Sequence, residues 1–201
     1  MGSFIKKVAI TTCLILVAVL FLGVFSVFTF APKLAGDKCF ELGLKNVATT
    51  CYERVYKKTG EFDDLITLVD NVIFAEDTEM IVEYLGKMVN RKLEFEEFCK
   101  SLDEQSEYVD YSSYDYYVTT LMMAYYKLGN KTSAANFAFS SLTSDGYEEG
   151  CALYYAVKLS QTDADFFDMI VTSYKGLSTK TFTGYKKFRE DLKAINPDVK
   201  F

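Results

Sequence analysis

The chain of 201 residues contains no histidine. Histidine is the commonest general base in enzymes and a frequent metal ligand, and it completes both Ser-His-Asp and Cys-His nucleophile pairs. Its absence excludes those catalytic arrangements and every histidine-ligated zinc site. The cysteines form no Cys-x-x-Cys spacing, which also excludes a zinc knuckle and a thioredoxin-like motif. We therefore expect no cofactor and no metal.

Proline is almost absent as well, since only Pro32 and Pro197 occur and both lie outside the expected core. Hairpin signals such as Asn-Gly and Asp-Gly are also rare, so the chain is predicted to be helices joined by short turns. Apolar residues recur at spacings of three and four, as at Leu65, Leu68 and Val69. These patterns predict an all-α fold.

Arginine is the third scarce residue, with only Arg54, Arg91 and Arg189 present. The preference for lysine over arginine is typical of an AT-rich bacterial genome. The formal net charge is −6, and the part of the chain after Lys33 is more acidic still, because no acidic residue precedes it. This balance repels phosphate backbones and anionic headgroups, so a nucleic-acid partner is not expected.

One long apolar run stands near the start of the chain. From Val8 to Ala31 there is no Asp, Glu, Lys, Arg, Asn or Gln. A helix of this length can cross a hydrocarbon core of about 30 Å. A cleaved signal peptide is the alternative, but bulky Phe28 and the following Pro32 are poor at a cleavage site. The run predicts an uncleaved transmembrane signal anchor in the lipid bilayer over 8–31.

The orientation of this anchor follows from its flanks. Lysines stand on both sides of the run, so the positive-inside count alone does not decide between the two topologies. A short basic N-terminal tail before a long apolar run is the usual signal-anchor arrangement. We expect a single-pass protein of the cell membrane, with a cytoplasmic N-terminus and an extracytoplasmic C-terminal domain.

Four cysteines follow the apolar run: Cys39, Cys51, Cys99 and Cys151. Two disulfides would suit an exported domain, whereas small buried thiols would suit the apolar helical patterns in which the cysteines occur. Cys39 and Cys51 are expected in one helix, roughly 18 Å apart along its axis, which is too far for a disulfide. The sequence therefore favours free thiols.

A segment around Tyr125 resembles a tetratricopeptide repeat. From Leu121 to Ala138 it reads LMMAYYKLGNKTSAANFA. The family has a large apolar residue, then Tyr, then Gly four residues later and a small residue five further on, within a period of about 34. Tyr125, Gly129 and Ala134 fit this pattern. The glycine ends the first helix, and the small residue lets the second helix pack closely.

The same frame fits the segment with Tyr52, Tyr56 and Gly60, and more loosely a segment around Gly86, with repeats starting near 46, 79, 115 and 149. The resemblance implies an α-solenoid of about four helical hairpins with a polar C-terminal capping helix. An unrelated bundle of helical hairpins is the alternative. The expected organisation is a short tail over 1–7, the anchor over 8–31, a juxtamembrane linker and start of the first helix over 32–45, repeats over 46–178, and the capping helix and tail over 179–201.

In this family the first helix of each hairpin lines a concave face, so the resemblance implies a groove for protein or peptide partners. Its residues here are Thr50, Arg54, Lys57, Lys58, Tyr116, Thr119, Met123, Tyr126 and Lys127. Tyr126 is expected to contribute little to helix packing, whereas Tyr125 is expected between helices. Alternatively, the tyrosines of the stretch 107–117 fill a gap between uneven repeats.

The expected function is that of a membrane-anchored scaffold or adaptor without catalytic activity. Resemblance to other anchored repeat proteins suggests a role in protein export or envelope assembly. The alternative is a membrane-tethered, carboxylate-dependent enzyme acting on envelope glycans, which needs two acids converging on one substrate. Adjacent acids on a helix point about 100° apart and do not converge. Such pairs are Asp63-Asp64, Glu96-Glu97, Asp103-Glu104 and Glu148-Glu149.

Overall fold

The computed structural model describes residues 2–106, 112–142 and 146–201. Over these residues it has eleven helices and no strand, so the predicted all-α class is confirmed. The chain divides into two compact units, Met1–Ala75 and Glu76–Phe201. Part of the tyrosine-rich stretch, residues 107–111, lies outside the described residues.

The first unit contains four helices, each packed against the next along the chain. They are α1 (Gly2–Phe30), α2 (Pro32–Glu41), α3 (Lys45–Thr59) and α4 (Phe62–Ala75). Helix α1 begins within the predicted tail, and α2 fills most of the predicted linker. Pro32 accounts for the boundary between them, because a residue before proline is disfavoured in a helix. Ala31 accordingly has φ −132° and ψ 59°.

No single helix among the described residues is long and apolar enough to cross a membrane. The length and apolar character needed to cross a membrane are reached only by two helical segments taken together, Leu14–Phe30 and Pro32–Glu41, with a bend of 111° between them. The transmembrane anchor over 8–31 therefore stays a prediction.

Helices α2 and α3 approach each other closely at Gly36. A Cβ atom placed on Gly36 would lie 2.9 Å from Cε1 of Tyr52, well inside the 3.5–4.0 Å at which carbon atoms normally pack. The ring of Tyr52 is buried, and its hydroxyl donates a hydrogen bond to Oδ1 of Asp37 at 2.9 Å. The missing side chain at Gly36 is what allows this ring to lie against α2.

The cysteines are buried, unpaired thiols at all four positions that follow α1, which confirms the prediction of free thiols. The expectation that Cys39 and Cys51 share one helix is wrong, because Leu42–Leu44 separates α2 from α3. Burial raises the pKa of Cys51 and Cys151, and it raises the pKa of Cys99 to about 12.

The second unit contains the remaining seven helices. The first, α5, has three consecutive stretches, Thr78–Met80, the π-helical Ile81–Leu85 and Gly86–Asn90. The others are α6 (Lys92–Gln105), α7 (Ser113–Lys127), α8 (Lys131–Ser140), α9 (Ala152–Ser160), α10 (Ala164–Gly176) and α11 (Tyr185–Ile195). Helices α3, α5, α7 and α9 start within three residues of the predicted repeat starts. Membership of the tetratricopeptide family stays a prediction.

Two layers of helices build the second unit. Helices α5, α7 and α9 pack one against the next, while α8 packs against α7, α9 and α10. Gly129 ends α7 with φ 75°, as its place in the sequence predicts. Ala134, Ala135 and Ala138 of α8 are all fully buried. Their small side chains let α8 lie close to three neighbouring helices.

Helix α11 closes the end of the second unit through aromatic packing. Phe188 is fully buried, with its ring centroid 5.1 Å from that of Tyr174 and 5.7 Å from that of Phe139. Leu192 is also fully buried, whereas the opposite face of α11 is polar and exposed. Helix α11 lies within 179–201, where the polar capping helix was predicted, and it has the polar exposed face that such a helix needs. The exposed residues are Lys186, Lys187, Glu190 and Lys193.

Two glycine substitutions should have opposite effects on stability. Gly86→Ala should stabilise the chain by about 1 kcal/mol, because Gly86 is helical and its added Cβ would meet nothing within 4 Å. Gly36→Ala should destabilise it by about 1 kcal/mol, because overpacking against Tyr52 outweighs the gain in helix propensity. Thermal unfolding of the full chain in detergent, followed by circular dichroism, measures both. Stabilisation by Gly36→Ala would contradict the close approach of α2 and α3.

Burial, and not pairing, should protect the thiols of Cys39, Cys51, Cys99 and Cys151. In the native protein these four should react slowly with an alkylating reagent, because each is buried and the thiolate is the reactive form. In denaturant without reductant all four should be alkylated, as mass spectrometry of peptides would show. A denatured control containing reductant should give the same result. A pair alkylated only after reduction would reveal a disulfide.

Candidate protein-binding groove

The predicted groove residues of the first unit lie on α3 and are all exposed. They are Thr50, Arg54, Lys57 and Lys58. The guanidinium of Arg54 donates a hydrogen bond to the Phe28 carbonyl at 3.0 Å, near the end of α1. Lys57 forms an ion pair with Glu53 of the same helix at 2.8 Å. Arg54 and Lys57 thus already have partners within their own unit.

The predicted groove residues of the second unit lie on α7 and differ in exposure. Tyr116 is 46% exposed and Lys127 is also exposed, whereas Met123 and Tyr126 are half-buried. Thr119 is buried, and its hydroxyl donates a hydrogen bond to the Gly150 carbonyl at 3.4 Å. The structure describes the α3 and α7 residues in separate units, and a groove common to both sets stays a prediction.

Tyr126 is tied to α10 by its ring and by its hydroxyl. The ring centroids of Tyr126 and Phe166 lie 4.8 Å apart, and the Tyr126 hydroxyl donates to Oδ2 of Asp163 at 2.8 Å. The expectation that Tyr126 contributes little to helix packing is therefore wrong. Tyr125 also packs, with its ring 6.2 Å from that of Phe137. Both tyrosines contribute to contacts between helices.

Asp163 is the centre of a small charged network at the start of α10. Its carboxylate caps the helix by accepting from the Phe166 amide at 3.1 Å, and it forms a 2.6 Å ion pair with Lys131. The Lys131 ammonium, the Phe166 amide and the Tyr126 hydroxyl together lower the pKa of Asp163 to about 2. The same hydrogen bonds to Asp163 raise the pKa values of Lys131 and Tyr126. The network joins α7, α8 and α10.

An open groove lies between α8 and α10, beside this network. Its volume is about 840 Å³, and most of its walls are small or polar side chains. The lining residues are Lys131, Thr132, Asn136, Asp165, Asp168, Met169, Thr172, Ser173, Gly176 and Leu177. The groove predicted from the sequence lay on the first helices of the hairpins, whereas this groove lies between two second helices and was not predicted. The only signal was the polar stripe at spacings of three and four on α10.

The chemistry of this groove suits a polar or basic chain. Ser173 donates to Oδ1 of Asn136 at 2.8 Å, which links the two walls. Met169 offers a flexible, polarisable surface, the kind of side chain that adapts to different partners. Asp165 and Asp168 are exposed and form no salt bridge among the described residues. Their carboxylates give the α10 wall a negative charge.

A smaller hollow of about 330 Å³ occurs in the first unit, lined by Phe40, Tyr52, Phe74 and residues of α4. Asn71 belongs to this lining and is buried. Its Oδ1 accepts from the Thr49 hydroxyl at 2.6 Å, while its Nδ2 has no hydrogen-bond partner in the part of the chain that the structure describes. Burying an amide group without a hydrogen bond costs free energy. Asn71 therefore makes the packing around it less stable.

The carboxylate pairs named as possible catalytic acids lie at the surface. Seven of their eight side chains are exposed, and the half-buried Asp64 accepts from Thr59 and Lys33 at 2.7 and 3.4 Å. Among the described residues, no three cysteine or acidic side chains are grouped in a way that could hold a metal ion. The groove between α8 and α10 is therefore the strongest candidate site.

Comparison of this chain with models of protein families, with curated proteins and with solved structures finds no match. The candidate site therefore rests on the geometry and chemistry of the chain itself.

The charge of Asp163 should matter at neutral pH and lose its effect in acid. The Asp163→Asn variant keeps a good N-cap but removes the ion pair with Lys131, so its Tm should fall at pH 7. Because the folded-state pKa of Asp163 lies below its ordinary value of 3.8, this contribution is present above about pH 4 and is lost as the pH falls towards 2. The Tm difference from the unmodified chain should therefore shrink at pH 3.

Asp165→Asn is the matched control for this experiment, because it removes an equal charge from a neighbouring residue without a salt bridge. Its Tm loss at pH 7 should be smaller than that of Asp163→Asn, because Asp165 forms no ion pair among the described residues and contributes only its charge in the first turn of α10. Equal losses in Asp163→Asn and Asp165→Asn would show that general charge, and not the network around Asp163, governs the stability.

Proposed function

We propose that this protein is a membrane-anchored helical scaffold that binds a segment of a partner protein. The observation that carries the proposal is the open groove between α8 and α10. Such a groove binds an extended segment when its walls offer hydrogen-bonding groups along one line. Thr132, Asn136, Thr172 and Ser173 supply such groups. No catalytic step is part of the proposal.

The groove is long enough to hold a short peptide. Its lining on α10 extends from Asp165 to Gly176, and Leu177 follows. At about 1.5 Å per residue this corresponds to a length of about 17 Å. An extended chain advances about 3.3 Å per residue, so about five residues of a partner fit. The carboxylates of Asp165 and Asp168 favour a segment that carries lysine or arginine.

The membrane part of the proposal rests on α1. The apolar run from Val8 to Ala31 lacks charged residues, and most of the described large side chains of α1 are exposed, with Phe28 half-buried. Phe21 is 74% exposed, although exposed apolar surface of this extent is unfavourable in water. Insertion in a bilayer would remove this surface from water. The other exposed apolar residues of α1 are Leu14, Ile15, Leu16, Val17, Val19, Leu20, Leu22, Phe25, Val27 and Phe30.

The resemblance to tetratricopeptide repeats also supports the scaffold part of the proposal, because that architecture presents extended binding surfaces. Helices α3, α5 and α7 start 33 and 35 residues apart, close to a period of about 34, whereas α9 starts 39 residues after α7. A partner in protein export or envelope assembly is proposed from this resemblance alone.

Selection of random short peptides against the full chain in nanodiscs tests the groove directly. We expect the selected peptides to be enriched in lysine and arginine. Reversing the charge of the groove wall with Asp168→Lys should weaken their binding by about tenfold, or about 1.4 kcal/mol. Filling the groove with Thr172→Trp should weaken it as well. Isothermal calorimetry or fluorescence anisotropy measures both affinities.

The control is Glu190→Lys, which makes the same charge change at an exposed position on α11. It should leave the affinity unchanged, whereas an equal loss would indicate general electrostatic attraction to an acidic protein. Peptides that bind Asp168→Lys and Thr172→Trp as tightly as the unmodified chain would overturn the assignment of this groove.

A further inference from the structure

Helix α2 folds back after the break at Ala31. The segments Leu14–Phe30 and Pro32–Glu41 are bent by 111°, which is about 21° beyond a right angle. With α1 along the membrane normal, α2 lies near the membrane plane and slopes towards the bilayer. Its ten residues span about 15 Å, so its C-terminal end lies about 5 Å deeper than its start.

The deeper end of α2 and the turn that follows expose large apolar side chains. Leu42 is 74% exposed and Leu44 is 49% exposed. Leu34 at the start of α2 is 52% exposed, and it lines the same hollow between α1 and α2 as Leu42 and Leu44. Contiguous apolar surface of this kind marks a contact with a membrane or a protein. The position of these leucines inside the bend with α1 decides between the two, because it directs this surface towards the bilayer that α1 would cross.

We propose that α2 and the turn to α3 form a platform that lies in the boundary between lipid headgroups and acyl chains. The platform is defined by Leu34, Leu42 and Leu44, which line one hollow. The inference rests on the proposed crossing of the membrane by α1. Interfacial helices bury their apolar face about 5–10 Å into this boundary. The slope of α2 brings Leu42 towards that depth while Leu34 stays shallower.

A hollow inside the bend between α1 and α2 supports lipid as the molecule that contacts the platform. An apolar hollow of about 660 Å³ lies between α1 and α2, and it is open to the surroundings. Leu20 and Val27 line it from α1, and Leu34 lines it from α2. Lys38 is its one charged lining residue, and a lysine stem can lie on apolar surface while the ammonium reaches the headgroups. An acyl chain fits an apolar space at this depth.

Apolar burial, and not attraction to anionic lipid, drives this contact. Helix α2 carries Lys33 and Lys38 but also Asp37 and Glu41, so its side chains have no net charge. The lysines are already paired, Lys38 with Glu41 at 2.7 Å and Lys33 with Asp64 of α4 at 3.4 Å. The platform should therefore bind zwitterionic bilayers, and added salt should have little effect.

The chain has no tryptophan, so a single introduced Trp reports its own surroundings. We would reconstitute Leu42→Trp, Leu34→Trp and Leu20→Trp full chains in phosphatidylcholine vesicles with lipids brominated at known depths. Leu42→Trp should emit at shorter wavelength than free tryptophan and be quenched by shallow bromines. Leu34→Trp should report a depth about 4 Å shallower than Leu42→Trp. This difference follows because the two positions are eight residues apart along a slope of about 21°. Leu20→Trp should be quenched by deep bromines.

The Leu20 reporter separates the platform from the anchor. Quenching of Leu20→Trp without quenching of Leu42→Trp would overturn the platform and leave the anchor intact. Absence of quenching in both would overturn the anchor and the platform together. Leu44→Trp gives a second reading of the platform in the turn to α3.

Two further experiments test which side of the first unit faces the bilayer and which force drives its contact with lipid. Lys58→Trp places the reporter at an exposed position on α3, and it should be quenched by aqueous iodide and not by brominated lipid. Equal lipid quenching at Lys58 and Leu42 would contradict the orientation. Quenching of Leu42→Trp that requires anionic lipid and disappears in high salt would show headgroup attraction and overturn the apolar mechanism.

Discussion

The close packing of α8 through alanine is the constraint on which the second unit depends. Ala134, Ala135 and Ala138 are fully buried, and α8 contacts α7, α9 and α10. Larger side chains at these positions would push the neighbouring helices apart, because protein interiors are close-packed. The groove lies beside this packing: α8 contacts α10 along its buried side, and exposed residues of both helices border the open space.

The network around Asp163 holds one end of that groove. A single carboxylate caps α10, pairs with Lys131 of α8 and accepts from Tyr126 of α7. Charge-assisted hydrogen bonds of this kind are stronger than neutral ones and fix the geometry of the groups they join. In the proposed scaffold this network would keep the groove preformed, which reduces the ordering cost of binding a partner segment.

Much of the helical framework could be predicted from the sequence because its signals are local. The apolar periodicity at Leu65, Leu68 and Val69 indicated α4, and Gly129 marked the end of α7. One error was local, since Cys39 and Cys51 lie in two helices, and the other concerned contacts between distant residues. Tyr126 of α7 contacts Asp163 and Phe166 at the start of α10. The spacing of residues within α7 does not reveal such partners.

The sequence by itself determined the helix-forming segments, the absence of histidine chemistry and the apolar run from Val8 to Ala31. Propensity, periodicity and composition are properties of neighbouring residues, so they can be read without a fold. Only tertiary structure decided that α2 folds back by 111° and that the open groove lies between α8 and α10. Helix directions and the spaces between helices arise from the packing of residues distant in the chain, which no local pattern encodes.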